Sequence, residues 1–245
     1  MHNGKLAFED GMDALRKAYV DDYDTPLAIY PYGFAKEDDQ ASQHFTRAIE
    51  KATKTVVEHS MMIRGKQKNP ITYQAYLLMG QAQGAMGLDL SAHEAFAIVK
   101  RMSDDPDQVT RSELYRAELM AKMGNGHAAI AALDELERRG LHEDFTLQAA
   151  SVRSHALMAE KDYEAVVDLL AVALKEKMPP KARARLAFIK GQLHEEMDEG
   201  SLAREAYDAC IRAQPGSYDM LLEAQLRKSL NGNGSGVRVQ SLYKE

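Results

Sequence analysis

Eight histidines, a single cysteine and 37 acidic residues are the side chains here that could bind a metal, attack a carbonyl or pass a proton. A zinc-protease helix needs two histidines four residues apart, so that both imidazoles face one ion. His93-Glu94 and His194-Glu195-Glu196 each lack the second histidine. His142-Glu143-Asp144 stands near a predicted helix start, where acidic groups favour the positive end of the helix dipole. The polar surface of helices accounts for these residues, and neither a metal nor any other cofactor is expected.

Nucleophilic chemistry fares no better. Cys210 falls where a small buried residue is wanted, and a buried structural thiol is inert. The chain has no Gly-x-Ser-x-Gly elbow, and the glycines from Gly232 to Gly236 follow a predicted helix without the Lys-Ser or Lys-Thr pair of a phosphate loop. Carboxylates on solvated helix faces cannot by number alone identify an acid/base pair. No catalytic residue is assigned, and the chain is not expected to be an enzyme.

The elements that position these residues are helical. Gly and Pro are sparse, while Ala, Leu, Met, Glu, Lys and Arg supply most positions. A hydrophobic content of 45% is enough for a packed core, and a net charge of -6 argues against general nucleic-acid binding. One cysteine excludes an internal disulfide framework. No apolar run reaches the roughly 18 residues of a membrane span. The start, Met1-His2-Asn3-Gly4, has neither the basic nor the apolar region of a signal peptide. After the Gly/Asn-rich stretch from Asn231, apolar residues resume at Val237, Val239 and Leu242, then stop at Glu245. A fragment of a longer protein is therefore expected.

Small and large residues recur every 37 positions. Gly80, Ala117, Ser154 and Gly191 form one rung, Ala92, Ala129, Val166 and Ala203 a second, and Phe96, Leu133, Leu170 and Tyr207 a third. Small residues let two helices approach, and the large one fills the space between hairpins. The spacing predicts an all-α fold, a right-handed α-solenoid of antiparallel helical hairpins. Helices are expected over 5–21, from a cap at Asp38 or Asp39 to about His59, and over 71–86, 91–103, 108–123, 126–139, 144–160, 162–177, 180–198, 200–213 and 217–230. Three stretches follow: 1–69, an N-terminal hairpin with a long Pro/Gly loop at 22–37; 70–230, four hairpins and a capping helix; and 231–245, a connector and the start of a further helix. The loop carries Tyr23, Tyr30, Tyr32 and Phe34. Its rings are expected to pack on the first hairpin, with a contact to a partner as the alternative.

The small-x11-small-x3-large spacing resembles the tetratricopeptide repeat. Tyr76, Gly80, Gly87, Ala92 and Phe96 stand in family order, as do Gly191, Ala203, Tyr207, Cys210 and Pro215. Lys161-Asp162-Tyr163-Glu164 resembles the turn of these hairpins. The repeat is longer than the usual period of about 34, and the apolar position before the small rung is Met79 once, then Arg116, Arg153 and Lys190.

A second resemblance lies at the N-terminus. Gly11-Met12-Asp13-Ala14-Leu15, Tyr19-Val20-Asp21-Asp22-Tyr23, and Leu27-Ala28-Ile29-Tyr30-Pro31-Tyr32-Gly33 are similar to the opening of the PorW/SprE-type tetratricopeptide lipoproteins of type IX secretion and gliding motility. Arg47-Ala48-Ile49-Glu50-Lys51-Ala52 with His59-Ser60, then Ala75-Tyr76-Leu77-Leu78-Met79-Gly80, resemble their next helices. The resemblance covers roughly residues 4–100. It implies a periplasmic adaptor, held at the outer membrane by a lipid anchor upstream of this fragment.

In tetratricopeptide solenoids the first helix of each hairpin lines the concave face. That frame assigns Gln74, Leu77 and Gln81 to this face, then Arg111, Leu114 and Glu118. Ser151, His155 and Met158 follow, then Arg185, Phe188 and Gln192. Such a mixture suits an extended or helical protein segment, with apolar groups supplying affinity and amides register. Leu77 and Gln81 replace the lysine and asparagine of a carboxylate clamp, which disfavours that groove chemistry. Arg116, Arg153 and Lys190 form a basic ladder. It either meets an acidic partner or, as expected here, pairs with neighbouring Asp and Glu. The expectation is a non-enzymatic protein–protein interaction scaffold that binds a protein or peptide and no nucleic acid. A cytoplasmic scaffold, or the recognition module of an enzyme whose catalytic part lies elsewhere, are the alternatives.

Overall fold

A computed structural model describes residues 1–29 and 33–231 and is all-α. Among the described residues it has eleven helices: α1 (His2–Ala18), α2 (Gln40–His59), α3 (Pro70–Ala85), α4 (Asp89–Met102), α5 (Pro106–Lys122), α6 (Gly126–Arg138), α7 (Glu143–Ala159), α8 (Tyr163–Ala173), α9 (Pro180–Glu196), α10 (Gly200–Arg212) and α11 (Tyr218–Leu230). Of the connector expected at 231–245, residues 232–245 lie outside the described residues, as do Tyr30 and Tyr32.

Local chemistry sets these boundaries. The carboxylate of Asp39 accepts the Ser42 amide at 2.8 Å, and Asn69, Asp105, Asn125, Asp162 and Ser217 cap their helices in the same way. Pro70, Pro106 and Pro180 occupy first turns, where a missing N–H leaves nothing unpaired. Helices α3, α5, α7 and α9 end in the same motif. The amides of Leu88, Asn125, Asp162 and Glu199 donate to the carbonyls of Gln83, Met120, Leu157 and His194. Just before them stand Gly87, Gly124, Lys161 and Asp198, all with positive φ. Helix α8 stops short of the expected residue 177: Lys175 and Glu176 bond back three residues, and the Arg183 guanidinium satisfies the carbonyls of Leu174 and Glu176.

A hairpin at 62–67 was not expected. Strand β1 (Met62–Ile63) pairs antiparallel with β2 (Lys66–Gln67), Met62 opposite Gln67 and Ile63 opposite Lys66. Arg64 and Gly65 turn the chain with φ of 52° and 77°, the left-handed pair of a tight hairpin turn. Strands of two residues are too short to show a period.

The described residues fall into two compact units, one from Met1–Tyr19 and Pro31–Ala156, the other from Val20–Tyr30 and Leu157–Glu245. In the first, α3 meets α4 where Gly80 lies under Phe96; a Cβ on Gly80 would stand 2.5 Å from that ring. Gly11 meets Phe45 in the same manner, at 2.7 Å. Ala41 precedes Phe45 by the four residues that separate Ala92 from Phe96, and all four side chains are buried. Thirty residues separate Gly11 from Ala41, however, against twelve between Gly80 and Ala92. Helices α1 and α2 are thus a hairpin of the same packing whose turn has been expanded.

Glu113 of α5 links three helices of this unit, accepting from Lys100 at 2.7 Å and Arg139 at 2.6 Å. Burial raises its pKa, but the two cations more than offset that and hold the carboxyl below its ordinary value. In the second unit the core runs through Val166, Leu170, Ile189, Leu193 and Tyr207. Each fully buried large side chain contributes roughly 1.5–3 kcal/mol. Gly191 lies under the Tyr207 ring as Gly80 lies under Phe96, with a Cβ distance of 2.6 Å.

Candidate functional site

The first unit presents two cavities of about 250 and 380 Å³. Phe8, Gln81 and Tyr115 line both. The smaller adds Met12, Phe34, Glu118 and Lys122, the larger Lys5, Gln74, Leu77 and Arg111. Of the residues expected on this face, Gln74, Leu77, Gln81, Arg111 and Glu118 are therefore brought together. Leu114 is elsewhere: it is fully buried with Leu133 and Phe145, because its side chain fills the space between α5, α6 and α7. Ser151 and His155 of α7 are partly exposed and do not line either cavity.

The chemistry of this surface is mixed. Glu118 and Lys122 pair at 2.9 Å. The Arg111 guanidinium lies 5.0 Å from the centre of the Phe145 ring. Burial, followed by the positive charge of Lys122, lowers the basicity of His155. Burial also raises the Tyr115 phenol, which stays protonated at neutral pH. Paired charges, amides and the Phe8 and Tyr115 rings can hold a polar–apolar segment. Tyr115 and Phe8 were missed in the sequence. Tyr115 is one helical turn beyond Arg111, so helix spacing could have found it; Phe8 lies on α1, ahead of the regular ladder.

On the second unit, the α9 face is occupied by the chain itself. Gln192 accepts the Leu27 amide at 2.9 Å and donates to the carbonyls of Thr25 at 2.8 Å and Tyr23 at 3.2 Å. Arg185 reaches both Asp21 carboxylate oxygens, at 2.9 and 2.8 Å, and the Ala28 carbonyl at 2.9 Å. Arg227 of α11, held by Glu195, donates to the Tyr23 carbonyl as well. The Tyr23 ring stands edge-on to Phe188, centroids 5.4 Å apart, and Leu27 is buried in the core. Met158 is partly buried against the same core.

The expectation that the loop's rings pack on the first hairpin is thus corrected for Tyr23. A patterning argument favours neighbours in sequence, whereas the polar groups that satisfy this segment's backbone lie on α9 and α11. Phe34 is 42% exposed and borders the smaller cavity.

The three rungs of the basic ladder have different surroundings. Arg153 pairs with Asp134 at 2.7 Å and Glu137 at 3.0 Å, both on α6. Arg116 lies near His93, whose basicity is lowered first by burial and then by that charge. Lys190 is partly buried. Cys210 is fully buried, which pushes its thiol up to about 12. Among the described residues, no group of three His, Cys, Asp or Glu side chains is placed to hold a metal ion, and no helix is long and apolar enough to cross a membrane. No protein-family model matches the chain, and no curated protein matches it.

Proposed function

We propose that this chain is a non-enzymatic scaffold that holds a protein partner on the first-helix faces of a right-handed, tetratricopeptide-like α-solenoid. The carrying observation is the α9 face, which already grips an extended segment through its main-chain groups, one ring and one leucine. Such recognition gives affinity through the backbone and register through alternate side chains. The equivalent face of the first unit offers Gln81, Arg111 and Tyr115 with cavities beside them. Support for the 37-residue frame comes from the helix ends. Gly87, Gly124, Lys161 and Asp198 stand 37 residues apart, and each closes its helix with the same pair of hydrogen bonds.

The N-terminal resemblance makes the proposal more specific: an adaptor of type IX secretion or gliding motility, on the periplasmic side of the outer membrane, within a longer lipoprotein. The test is affinity capture of the full-length protein after mild cross-linking, with wild type beside Arg111→Glu and Tyr115→Ala. Periplasmic or outer-membrane partners lost in both variants are expected. Partners unaffected by either variant would remove this surface, and recovery of cytoplasmic proteins alone would overturn the location.

A further inference from the structure

The segment on the second unit is neither helix nor strand, so its order comes from the surface beneath it. Five hydrogen bonds tie its main chain to Gln192, Arg185 and Arg227. Three side chains add specificity: Asp21 on Arg185, Tyr23 on Phe188, and Leu27 in the core. Gln192 and Arg227 are 3% and 5% exposed, and buried polar groups of this kind require a partner. The hairpin interrupted by the segment does not need it, since the Gly11–Phe45 contact is complete on α1 and α2.

From this geometry we infer that the α9–α11 face is a receptor for an extended acidic-x-aromatic-x3-aliphatic segment, occupied in cis by residues 21–29. A partner segment of the same chemistry binds by displacing them. The inference rests on the scaffold reading and adds regulation to it. A tethered segment acts at a high effective concentration, in the millimolar range for short flexible links. A single free segment therefore competes weakly. A partner gains the face when it also holds the chain elsewhere, or when the cis segment is modified or withdrawn. Main-chain recognition tolerates different sequences, while the Arg185 charge and the Phe188 ring select for an acid two residues before an aromatic.

The experiment titrates a fluorescent peptide of residues 20–29 into three full-length proteins: wild type, the triple variant Asp21→Ala, Tyr23→Ala, Leu27→Ala, and that variant with Gln192→Ala added. Circular dichroism checks that helix content is retained. The peptide is expected to bind the triple variant at least about tenfold more tightly than wild type, because the competing occupant is weakened. Adding Gln192→Ala is expected to abolish that gain. Equal binding to the triple variant and wild type, or a gain that survives Gln192→Ala, overturns the inference. A second measurement needs no variant: native-state hydrogen exchange of wild type. The Leu27 amide is expected to exchange at least about tenfold faster than the core amides of α9, through local release of the segment. Equal protection means the segment leaves only on unfolding, and sinks the proposal. Failure of both tests with partner capture intact would leave the scaffold reading standing, whereas loss of capture with normal exchange would do the reverse.

Discussion

Gln81 and Gln192 occupy the same place in the proposed frame, as do Arg111 and Arg185, yet the two pairs do different things. In the first unit Gln81 and Arg111 border cavities, and the Arg111 guanidinium rests against Phe145. In the second, Gln192 and Arg185 are consumed by Asp21, Tyr23, Thr25, Leu27 and Ala28. The contrast shows that one helix face can serve as open surface or as interior, depending on what lies across it. A glutamine amide suits both roles, since it donates and accepts.

The largest expected effect tests that difference directly. Gln192→Ala removes three hydrogen bonds and leaves buried main-chain groups unpaired, so a loss of about 3 kcal/mol is expected. Gln81→Ala at the matching position should cost about 0.5 kcal/mol. Urea denaturation measures both, and equal losses would erase the distinction. Packing should behave in the opposite way. Gly80→Ala and Gly191→Ala each press a methyl into a ring, at 2.5 and 2.6 Å, and each should cost about 2 kcal/mol. A large disparity in thermal unfolding between these two would show that the hairpins are not equivalent.

Glu113 gives the first unit a pH signature. Its carboxyl is depressed in the folded state, so its contribution is present above the unfolded value of about 4.3 and is lost as pH falls through the folded value. Glu113→Gln should cost about 1–2 kcal/mol at pH 7. Its deficit relative to wild type should shrink steadily on acidification below pH 4, followed by denaturant titrations at several pH values. A deficit independent of pH would assign Glu113 a packing role instead. The smallest effect concerns the helix ends. The first unit uses Gly87 and Gly124 at its left-handed positions, and the second uses Lys161 and Asp198. Lys161→Gly should stabilise by about 0.5–1 kcal/mol, whereas Gly124→Ala should destabilise by about 1 kcal/mol. Melting temperatures that move the same way for both would contradict the left-handed geometry.

The helices were legible because the sequence carries signals at fixed register: turn residues such as Gly124-Asn125 and Lys161-Asp162, a proline that opens α3, and an apolar period of 3.6. The same frame selected Arg185, Phe188 and Gln192 as a group. It could not foresee what they hold, because Leu27 and Gln192 are 165 residues apart and no periodicity joins them. Leu114 and Tyr115 show the finer limit. They are adjacent in sequence, and helix geometry points one into the core and the other toward the cavities. The frame named the first and omitted the second. Gly11 and Phe45 went unpaired for another reason: the expanded turn hid a spacing that the three-dimensional contact restores.

The expanded turn also fixes an order of events during synthesis. Residues 21–29 leave the ribosome long before α9 and α11 exist. They must stay uncommitted through translation of more than half the chain. Until they dock, Gln192 and Arg227 are polar groups in a half-built interior. Closing so long a loop carries an entropic cost that grows slowly with length, and contacts of such separation form late. The seating of this segment is therefore expected to be the last step in completing the second unit. A nascent chain arrested before α9 would display the strap without its seat.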